Sequence, residues 1–181
     1  LVSGSFKFGK AKGIPIPKLD GQGKPTGKFR PIVLAPVETR IVQRAILNVL
    51  VEVEALQPFI KSPYSFGGIR SLRKRGEQRR TDELSAVPAA IQAVLTEIGS
   101  GARFVASADI RAFFTRISKD HVTDVISTAV SDREFIDFLR KAINVELDNL
   151  ILLREKAAEF PIEEIGVAQG SSLSPLLGNI T

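Results

Sequence analysis

The sequence predicts an α+β fold, and three patterns along the chain carry that prediction. Two strand-like runs, 13–18 and 28–34, are separated by a stretch rich in Gly and Pro, which is typical of a hairpin. Apolar residues recur with helical spacing in much of the chain after residue 36. A third strand-like run lies at 103–110. With 181 residues, of which 44% are hydrophobic, the chain has the size of one packed domain.

A long helix is predicted after the hairpin, over 37–57, because its apolar residues have helical spacing. Those apolar positions are Ile41, Val42, Ala45, Ile46, Val49, Leu50 and Val53. The polar residues expected on the opposite face are Arg40, Gln43, Arg44 and Asn48. A second helix is expected from near Ser85 to just before Gly99, since Pro88 is tolerated in a first turn.

The chain after the strand at 103–110 is predicted to be mainly helical. Ser118 has the position of an N-cap, and the capping-box spacing of 131–134 predicts another helix, which runs to about Val145. Residues 146–165 have no clear pattern, and 166–180 predict a turn that opens into an apolar helix.

Charge is distributed unevenly along this basic chain, whose net charge is +5. Residues 1–80 carry 16 Lys and Arg against 5 Asp and Glu, whereas 81–181 carry 9 against 15. A basic first half favours a polyanionic partner such as nucleic acid, and an ordinary solvated surface is the competing interpretation.

The absence of cysteine excludes disulfides and thiolate metal sites, and it makes an intracellular, cytoplasmic setting the default expectation. No apolar run approaches the ~20 residues that span a bilayer, and the first residues lack a signal-peptide pattern. The chain opens on Leu1, contains no Met and stops at Thr181 within an apolar run. We therefore expect it to be a piece of a longer protein.

Asp109 is the first candidate for chemistry, within the stretch "ASADIRAFFTRIS" at 106–118. It comes at the end of the predicted strand, where a buried carboxylate is costly unless its charge is compensated. Mg²⁺ is the usual compensating partner, because it prefers carboxylate oxygens and bridges to phosphates. The competing interpretation is a turn or a helix cap, the commoner role of an Asp just past a strand.

A second motif favours the metal-binding interpretation of Asp109 over a turn or a helix cap. The stretch "AQGSSLSPLLGNI" contains Gln169-Gly170, Ser174-Pro175, Leu177 and Asn179. Read together with "DIRAFF" upstream, it resembles the reverse transcriptase family, particularly the bacterial branch of group II intron, retron-like and phage-defence enzymes. Other stretches resemble further elements of that family: "IPIPK" with "KFRPI", "ETRIVQRAI" and, more loosely, "SFGGIRS".

The resemblance implies a right-hand polymerase fold of the α+β class, present as fingers and a partial palm in one incomplete domain. The fingers are expected at about 1–100 and 118–165, the palm at about 101–117 and 166–181, and the thumb is absent. The family's aromatic-x-Asp-Asp turn, which supplies the other catalytic carboxylates, is not in this sequence. The chain alone is therefore expected not to polymerise DNA.

The implied activity is that of an RNA-directed DNA polymerase. It transfers deoxynucleotides to a primer 3′-OH under template direction, by two-metal catalysis. The implied cofactors are two Mg²⁺ ions, with Mn²⁺ as an alternative. The implied partners are an RNA template, a DNA or RNA primer and deoxynucleoside triphosphates, without a membrane, and the oligomeric state is left open.

The resemblance also implies roles for residues around Asp109. Asp109 is similar to the first catalytic, metal-binding carboxylate, and the Ile110 backbone carbonyl is expected to help it hold metal and nucleotide. Phe114 matches the family's steric gate, whose ring would clash with a ribose 2′-OH and so favour deoxynucleotides. A core position is the alternative for Phe114. Phe113 is assigned to the core, because the two rings are not expected to face the same way.

The other implied nucleotide contacts come from the flanking motifs. Gln169 resembles the residue that contacts the incoming nucleotide, and Gly170 would let the backbone approach closely. Lys18 and Arg30 match the pair that grips the triphosphate, since a fork-shaped guanidinium suits phosphate oxygens. Surface solvation is the alternative for Lys18.

Nucleic-acid contacts are predicted on the first long helix and in the basic run 70–80. Arg40 and Gln43 fit the family helix, where each is expected near the template or in a structural bond. The basic run is expected to follow a template backbone or to form a solvated loop. Its residues taken as nucleic-acid contacts are Arg73, Lys74 and Arg75.

Three other functions stay open. An RNA-directed RNA polymerase would typically have a second Asp where Phe114 stands and a Ser-Gly element where Gln169-Gly170 stands, so both positions favour deoxynucleotides. A non-catalytic nucleic-acid-binding relative is disfavoured, because Asp109, Phe114 and Gln169 are all present. A generic basic α/β domain would make the motif spacing a coincidence.

Overall fold

The computed structural model describes residues 6–60, 65–66 and 86–181. The predicted nucleic-acid contacts Arg73, Lys74 and Arg75 lie outside the described residues, as does most of "SFGGIRS". A helix long and apolar enough to cross a membrane does not occur in the described part of the chain.

An antiparallel hairpin comes first, as the Gly- and Pro-rich connector predicts. Strand β1 spans Lys12–Leu19 and strand β2 spans Pro25–Leu34. The Asp20 carboxylate closes the turn by accepting hydrogen bonds from the N–H groups of Gln22 and Lys24, both at 2.9 Å. Because this Asx-type turn needs few residues, the strands extend further into the connector than predicted.

The hairpin has an inner face that packs and an outer face that stays open. Val33 on the inner face is 4% exposed. Arg30 is opposite Ile16 in the ladder and is exposed on the outer face, and Ile14 is opposite Ile32 on that same face. The alternation follows the two-residue period of a strand, so it decides which hairpin side chains are available to a ligand.

The helices of the described residues are α1 at Val37–Leu50, α2 at Gln57–Ile60, α3 at Ala86–Gly99, α4 at Phe113–Arg116, α5 at Lys119–Ala129, α6 at Arg133–Ile143, α7 at Leu150–Leu153 and α8 at Ser174–Ile180. Two 3-10 helices lie at Glu54–Leu56 and Arg154–Glu159. The long helix predicted over 37–57 thus ends at Leu50, and the remainder turns into shorter pieces.

Helix α1 buries a face that is shifted from the predicted one: Val42, Ile46 and Leu50 are buried as predicted, but their neighbours differ. Gln43 is 4% exposed, whereas Ile41, predicted to be apolar core, is 62% exposed. Gln43 lies four residues after buried Thr39 and three before buried Ile46, which is the spacing of one helix face. The prediction that Gln43 faces solvent is therefore wrong.

The predicted strand at 103–110 is wrong as well. These residues have no regular secondary structure, and all of them are exposed. Phe104 is 93% exposed and Val105 is 81% exposed. A strand exists only by pairing with another strand, and the sheet of the described residues consists of β1 and β2 alone. Within the described residues, the segment 103–110 therefore has no strand to pair with.

The N-caps of α5 and α6 test the capping predictions. The Ser118 side chain accepts a hydrogen bond from the His121 N–H at 3.2 Å, as predicted. Helix α6 is capped by Asp132, whose carboxylate accepts from the Phe135 N–H at 3.0 Å, and not by Ser131 as the capping-box spacing implies. Both residue types are strong N-caps, so spacing alone does not choose between neighbours.

Two hydrophobic clusters hold the elements together. The larger cluster joins α1, α5, α6 and α8, and side chains such as Leu50, Leu139 and Leu173 are completely buried in it. The smaller cluster lies under the inner face of the hairpin and consists of Ala11, Val33, Leu147, Leu153, Phe160 and Ala168. The inner face of the hairpin thus packs mainly against the chain between α6 and α8. The architecture confirms the α+β class, while the division into fingers and palm stays a prediction.

Candidate functional site

The Gln169-Gly170 motif lies directly beside the hairpin. The Val33 N–H donates to the Gln169 carbonyl oxygen at 2.9 Å, and Ile32 forms a parallel bridge with Gln169. Arg30 is two residues before Ile32 on the same strand. Backbone pairing therefore places the predicted nucleotide contact Gln169 alongside the strand that carries Arg30.

Gly170 is required by the geometry of this pairing. Its φ is +114°, a conformation that residues with a side chain rarely adopt. A Cβ at this position would lie 2.9 Å from the Val33 carbonyl oxygen. The close backbone approach expected of Gly170 is present here, and it is an approach to the hairpin.

The Ser-Pro and Asn positions of the second motif have structural roles. Ser174, which is 4% exposed, donates from its hydroxyl to the Ala168 carbonyl oxygen at 2.6 Å. The Asn179 amide donates to the Phe59 carbonyl oxygen at 2.9 Å, which ties α8 to α2. These bonds hold the turn and the helix after Gln169 in one orientation.

An open groove with a volume of about 810 Å³ separates α1 from this turn. Its lining includes Arg40, Ile41, Arg44, Asn48 and residues 170–172. Within the part of the chain that the structure describes, neither Arg40 nor Arg44 forms a salt bridge. The groove therefore offers positive charge and apolar surface, a combination that suits a nucleic-acid strand.

Gln43 does not reach that groove. Its side-chain amide donates to the Ala142 carbonyl oxygen at 2.8 Å inside the interface of α1 and α6. The predicted nucleic-acid contact at Gln43 is corrected to the structural bond that was its alternative, because the side chain is buried among helices. Arg44, one helical turn after Arg40, lines the groove with it.

A second cavity, of about 920 Å³, lies between the hairpin and the segment after Asp109. Its basic lining residues are Lys18, Lys28, Arg111 and Arg116. Glu159, Glu163 and Glu164 also line it. Arg111 lies two residues after Asp109 and lines the same cavity as Lys18. The structure thus places Lys18 and the Asp109 motif at one cavity. Arg30 does not line this cavity.

Asp109 itself is exposed, in the irregular segment at 103–110. The prediction that it ends a buried strand is wrong, because that strand is not formed. Ile110, whose carbonyl was expected to help hold the metal and the nucleotide, is 68% exposed. Exposure leaves the carboxylate accessible to a ligand, and it removes the burial argument for a compensating metal ion.

The described residues contain no group of three acidic or histidine side chains placed to hold a metal ion. The Asp109 carboxylate is the oxygen donor that Mg²⁺ prefers, so the donor type fits. One carboxylate is too few for a centre of two ions. The described residues therefore do not by themselves form the implied two-metal site.

Phe113 and Phe114 form a half-buried pair next to this segment. Their ring centroids are 5.3 Å apart in an edge-to-face arrangement. A Cβ on Gly178 of α8 would lie 2.9 Å from Phe113 and 3.7 Å from Phe114. Both rings therefore pack against the same glycine, contrary to the expectation that they face different ways. The gate role of Phe114 stays a prediction.

Lys119 is a buried cation for which the sequence holds no signal. It is 3% exposed, and its ammonium donates to the carbonyl oxygens of Pro161 and Glu163. Burial lowers the pKa of Lys119 below its usual value, and the nearby Glu164 carboxylate partly opposes that shift in pKa. Lys119 fixes the loop that forms one wall of the second cavity.

Comparison with known proteins identifies relatives over almost the whole chain. The family model "Reverse transcriptase (RNA-dependent DNA polymerase)" matches residues 16–181. "Protein YkfC" of Escherichia coli (strain K12) is 30% identical, in an alignment that covers 99% of this chain and 41% of that protein. The "Uncharacterized 91 kDa protein in cob intron" of Schizosaccharomyces pombe is 28% identical over 99% of this chain and 19% of its own length. The chain thus spans less than half the length of these curated relatives.

Proposed function

Because the chain belongs to the reverse transcriptase (RNA-dependent DNA polymerase) family, we propose that it supplies the fingers and part of the palm of an RNA-directed DNA polymerase. Family membership implies binding of a nucleic-acid template and a primer. The activity of the whole protein is part of the proposal, since the chain covers 41% and 19% of the two relatives.

The pairing of β2 with the Gln169-Gly170 turn is the observation that carries the proposal. Two motifs far apart in sequence meet through the bridge between Ile32 and Gln169. Gly170 permits that approach, because a Cβ there would collide with the Val33 carbonyl oxygen. The contact therefore supports a shared site for the two motifs beside the hairpin.

In the proposed reaction the primer 3′-OH attacks the α-phosphate of a deoxynucleoside triphosphate, a new P–O bond forms and pyrophosphate leaves. The protein contributes mostly positioning and electrostatic stabilisation. Lys18 and Arg30 on the hairpin, together with Arg111 beside Lys18 in the second cavity, would neutralise the triphosphate. Gln169 would contact the nucleotide, and the Phe114 ring would exclude a 2′-OH.

Asp109, with the Ile110 carbonyl, is proposed to hold Mg²⁺ or Mn²⁺ in the complete domain. The further carboxylates of a two-ion centre would come from outside the described residues. The exposure of Asp109 leaves its oxygens free for that role.

The groove along α1 is proposed to take the template strand. Arg40 and Arg44 lie one turn apart on α1 and line the groove together with Gly170. Guanidinium groups at this spacing suit successive phosphates, and exposed Ile41 offers apolar surface to bases. Template affinity should therefore fall as the salt concentration rises.

Primer extension on an RNA template tests the proposal, with the protein that contains the complete domain. Asp109→Asn keeps the shape of the side chain and removes its charge, so extension should fall at least about 100-fold. Asp120→Asn is the matched control, since Asp120 is an exposed carboxylate in the first turn of α5.

Full activity of Asp109→Asn would contradict the role of Asp109, and no extension by the intact protein would reject the proposed activity. The 181 residues alone should give no extension. Preference for ribonucleotides over deoxynucleotides would support an RNA-directed RNA polymerase instead.

An intron-encoded setting is favoured among the branches of the family. One relative is named as a protein in the cob intron, and it matches 99% of this chain. We propose that this chain comes from a mobile intron protein. Finding the gene outside any intron, beside a retron RNA or a defence operon, would overturn this choice.

A further inference from the structure

Asn149 joins the hairpin to the chain after α6 through two hydrogen bonds. Its side-chain oxygen accepts from the Gly13 N–H at 2.9 Å, and its amide nitrogen donates to the Gly13 carbonyl oxygen at 2.9 Å. One side chain thus satisfies both backbone groups of a residue at the start of β1. A neighbouring strand would bond to the N–H and carbonyl of Gly13 in the same way, and here the side-chain amide of Asn149 makes both bonds.

Backbone contacts surround that pair of hydrogen bonds. The Ala11 N–H donates to the Glu146 carbonyl oxygen at 2.7 Å, and the Asp148 N–H donates to the Ala11 carbonyl oxygen at 2.9 Å. The segment 146–149 therefore runs beside the start of the hairpin, where Ala11 and Leu147 form an isolated parallel bridge. Asn149 is its last member and the one that bonds through its side chain.

Gly13 is pressed against the same part of the chain. A Cβ on Gly13 would lie 2.8 Å from Leu153, 3.0 Å from Phe160 and 3.1 Å from Leu147. The hairpin base is thus held by packing as well as by hydrogen bonds. Since a two-stranded hairpin has marginal stability by itself, its orientation depends on this base together with the β2 contacts, which are the Val33–Gln169 hydrogen bond and the stacking of Phe29 on Phe160.

The residues that depend on that orientation lie toward the hairpin tip. Lys18 follows Gly13 by five residues along β1, a separation of about 16 Å at the usual rise of a strand. A tilt of about 10° at the base would move Lys18 by about 3 Å, which is the length of a hydrogen bond. The base contacts therefore control where the basic residues of the hairpin meet a triphosphate.

We infer that Asn149 is a positioning residue for nucleotide binding: it sets the angle of the β1–β2 hairpin so that Lys18 and Arg30 reach the triphosphate. The inference rests on the proposed function of the chain. Asn149 touches neither nucleotide nor template and acts through the backbone of Gly13. A hairpin that is correctly oriented for only a fraction of the time binds nucleotide with its intrinsic affinity multiplied by that fraction.

The first test is amide hydrogen exchange on the intact protein, which needs no catalytic activity. In Asn149→Ala, the amides of the β1–β2 ladder should exchange about 10-fold faster, and the amides of α5 and α6 should not change. Asn149→Asp keeps the acceptor and loses the donor, so its effect should be intermediate. Asn144→Ala is the matched control, because Asn144 is exposed nearby and makes no side-chain bond among the described residues. Unchanged hairpin exchange in Asn149→Ala would overturn the inference.

The second test is steady-state primer extension with varied deoxynucleotide. Asn149→Ala should raise the KM for deoxynucleotide about 5- to 10-fold, as expected if the hairpin is competent for about 0.1 to 0.2 of the time. The kcat and the Kd for template–primer should stay within about 2-fold, which a general loss of structure would not allow. A loosened hairpin with an unchanged KM would overturn the positioning role. Absence of extension by the unmodified protein would reject the proposed function, and the exchange data would still decide whether Asn149 holds the hairpin.

Discussion

At the scale of single residues, Ala112 shows how the site departs from relaxed geometry. Its φ is 56° and its ψ is 36°, in the left-handed region, directly before α4. The Thr115 hydroxyl donates to its carbonyl oxygen at 2.9 Å, which helps to hold the turn. A side chain in this region costs free energy, so the turn after Asp109 is a strained one.

Replacing Ala112 with Gly should relieve that strain. We expect Ala112→Gly to raise the free energy of unfolding by about 0.5–1 kcal/mol, because Gly adopts positive φ without penalty. Ala45→Gly in the middle of α1 is the control, and it should lower the same quantity by about 1 kcal/mol. Urea denaturation measures both, and equal destabilisation by the two changes would contradict the strain at Ala112.

Lys119 should make stability depend on pH in a predictable direction. Burial holds the pKa of Lys119 in the folded chain below its usual value of 10.5. Between the lowered pKa of the folded chain and the usual pKa of the unfolded chain, the unfolded chain binds more protons than the folded one. The contribution of Lys119 to stability therefore rises with pH in that alkaline window. The difference in unfolding free energy between the unmodified protein and Lys119→Met should therefore increase as pH rises toward 10.5. A difference that falls over this range in urea titrations would contradict the direction of the shift.

At the scale of elements, helix ends and strands differ in how well sequence predicts them. Ser118 caps α5 through a bond within one turn of helix, and such a bond is encoded locally. The hairpin and the helix after Gly170 are also predicted correctly, because their turn and capping signals are local in sequence. The strand at 103–110 is not formed, because a strand needs a partner that local pattern does not reveal.

The cap of α6 provides an element-scale prediction. Asp132→Ala should lower the free energy of unfolding by about 1 kcal/mol, since its carboxylate holds the Phe135 N–H. Ser131→Ala should change it by less than about 0.5 kcal/mol, as for an ordinary surface substitution. Chemical denaturation of both variants decides which residue is the cap, and a larger effect at Ser131 would restore the capping-box prediction.

At the scale of the whole molecule, the apolar residues are divided between packed and open positions. Phe160 is 4% exposed beneath the hairpin, whereas Phe104 is 93% exposed. Helix α3, just before Phe104, also exposes apolar side chains, among them Val87 and Ile91. Within the described residues, the buried apolar side chains belong to the two clusters, and none of them comes from 87–110.

That division can be measured with matched Phe substitutions in the 181-residue chain. Phe160→Ala should lower the free energy of unfolding by about 3–4 kcal/mol, because it leaves a cavity under the hairpin. Phe104→Ala should change it by less than about 0.5 kcal/mol, because little surface is buried there. A large loss for Phe104→Ala would show that 103–110 packs against the body of the protein.

Residue order was enough to predict the family, the hairpin and most of the helices, because each of these depends on neighbouring residues or on regular spacing. Three contacts emerged only from the folded chain: Gln43 is buried against α6, Lys119 bonds to the loop at 161–163, and Asn149 holds Gly13. Each of them joins segments that are distant in sequence, and burial depends on which surfaces meet. A helix can present any of several faces, and the packed neighbour selects one.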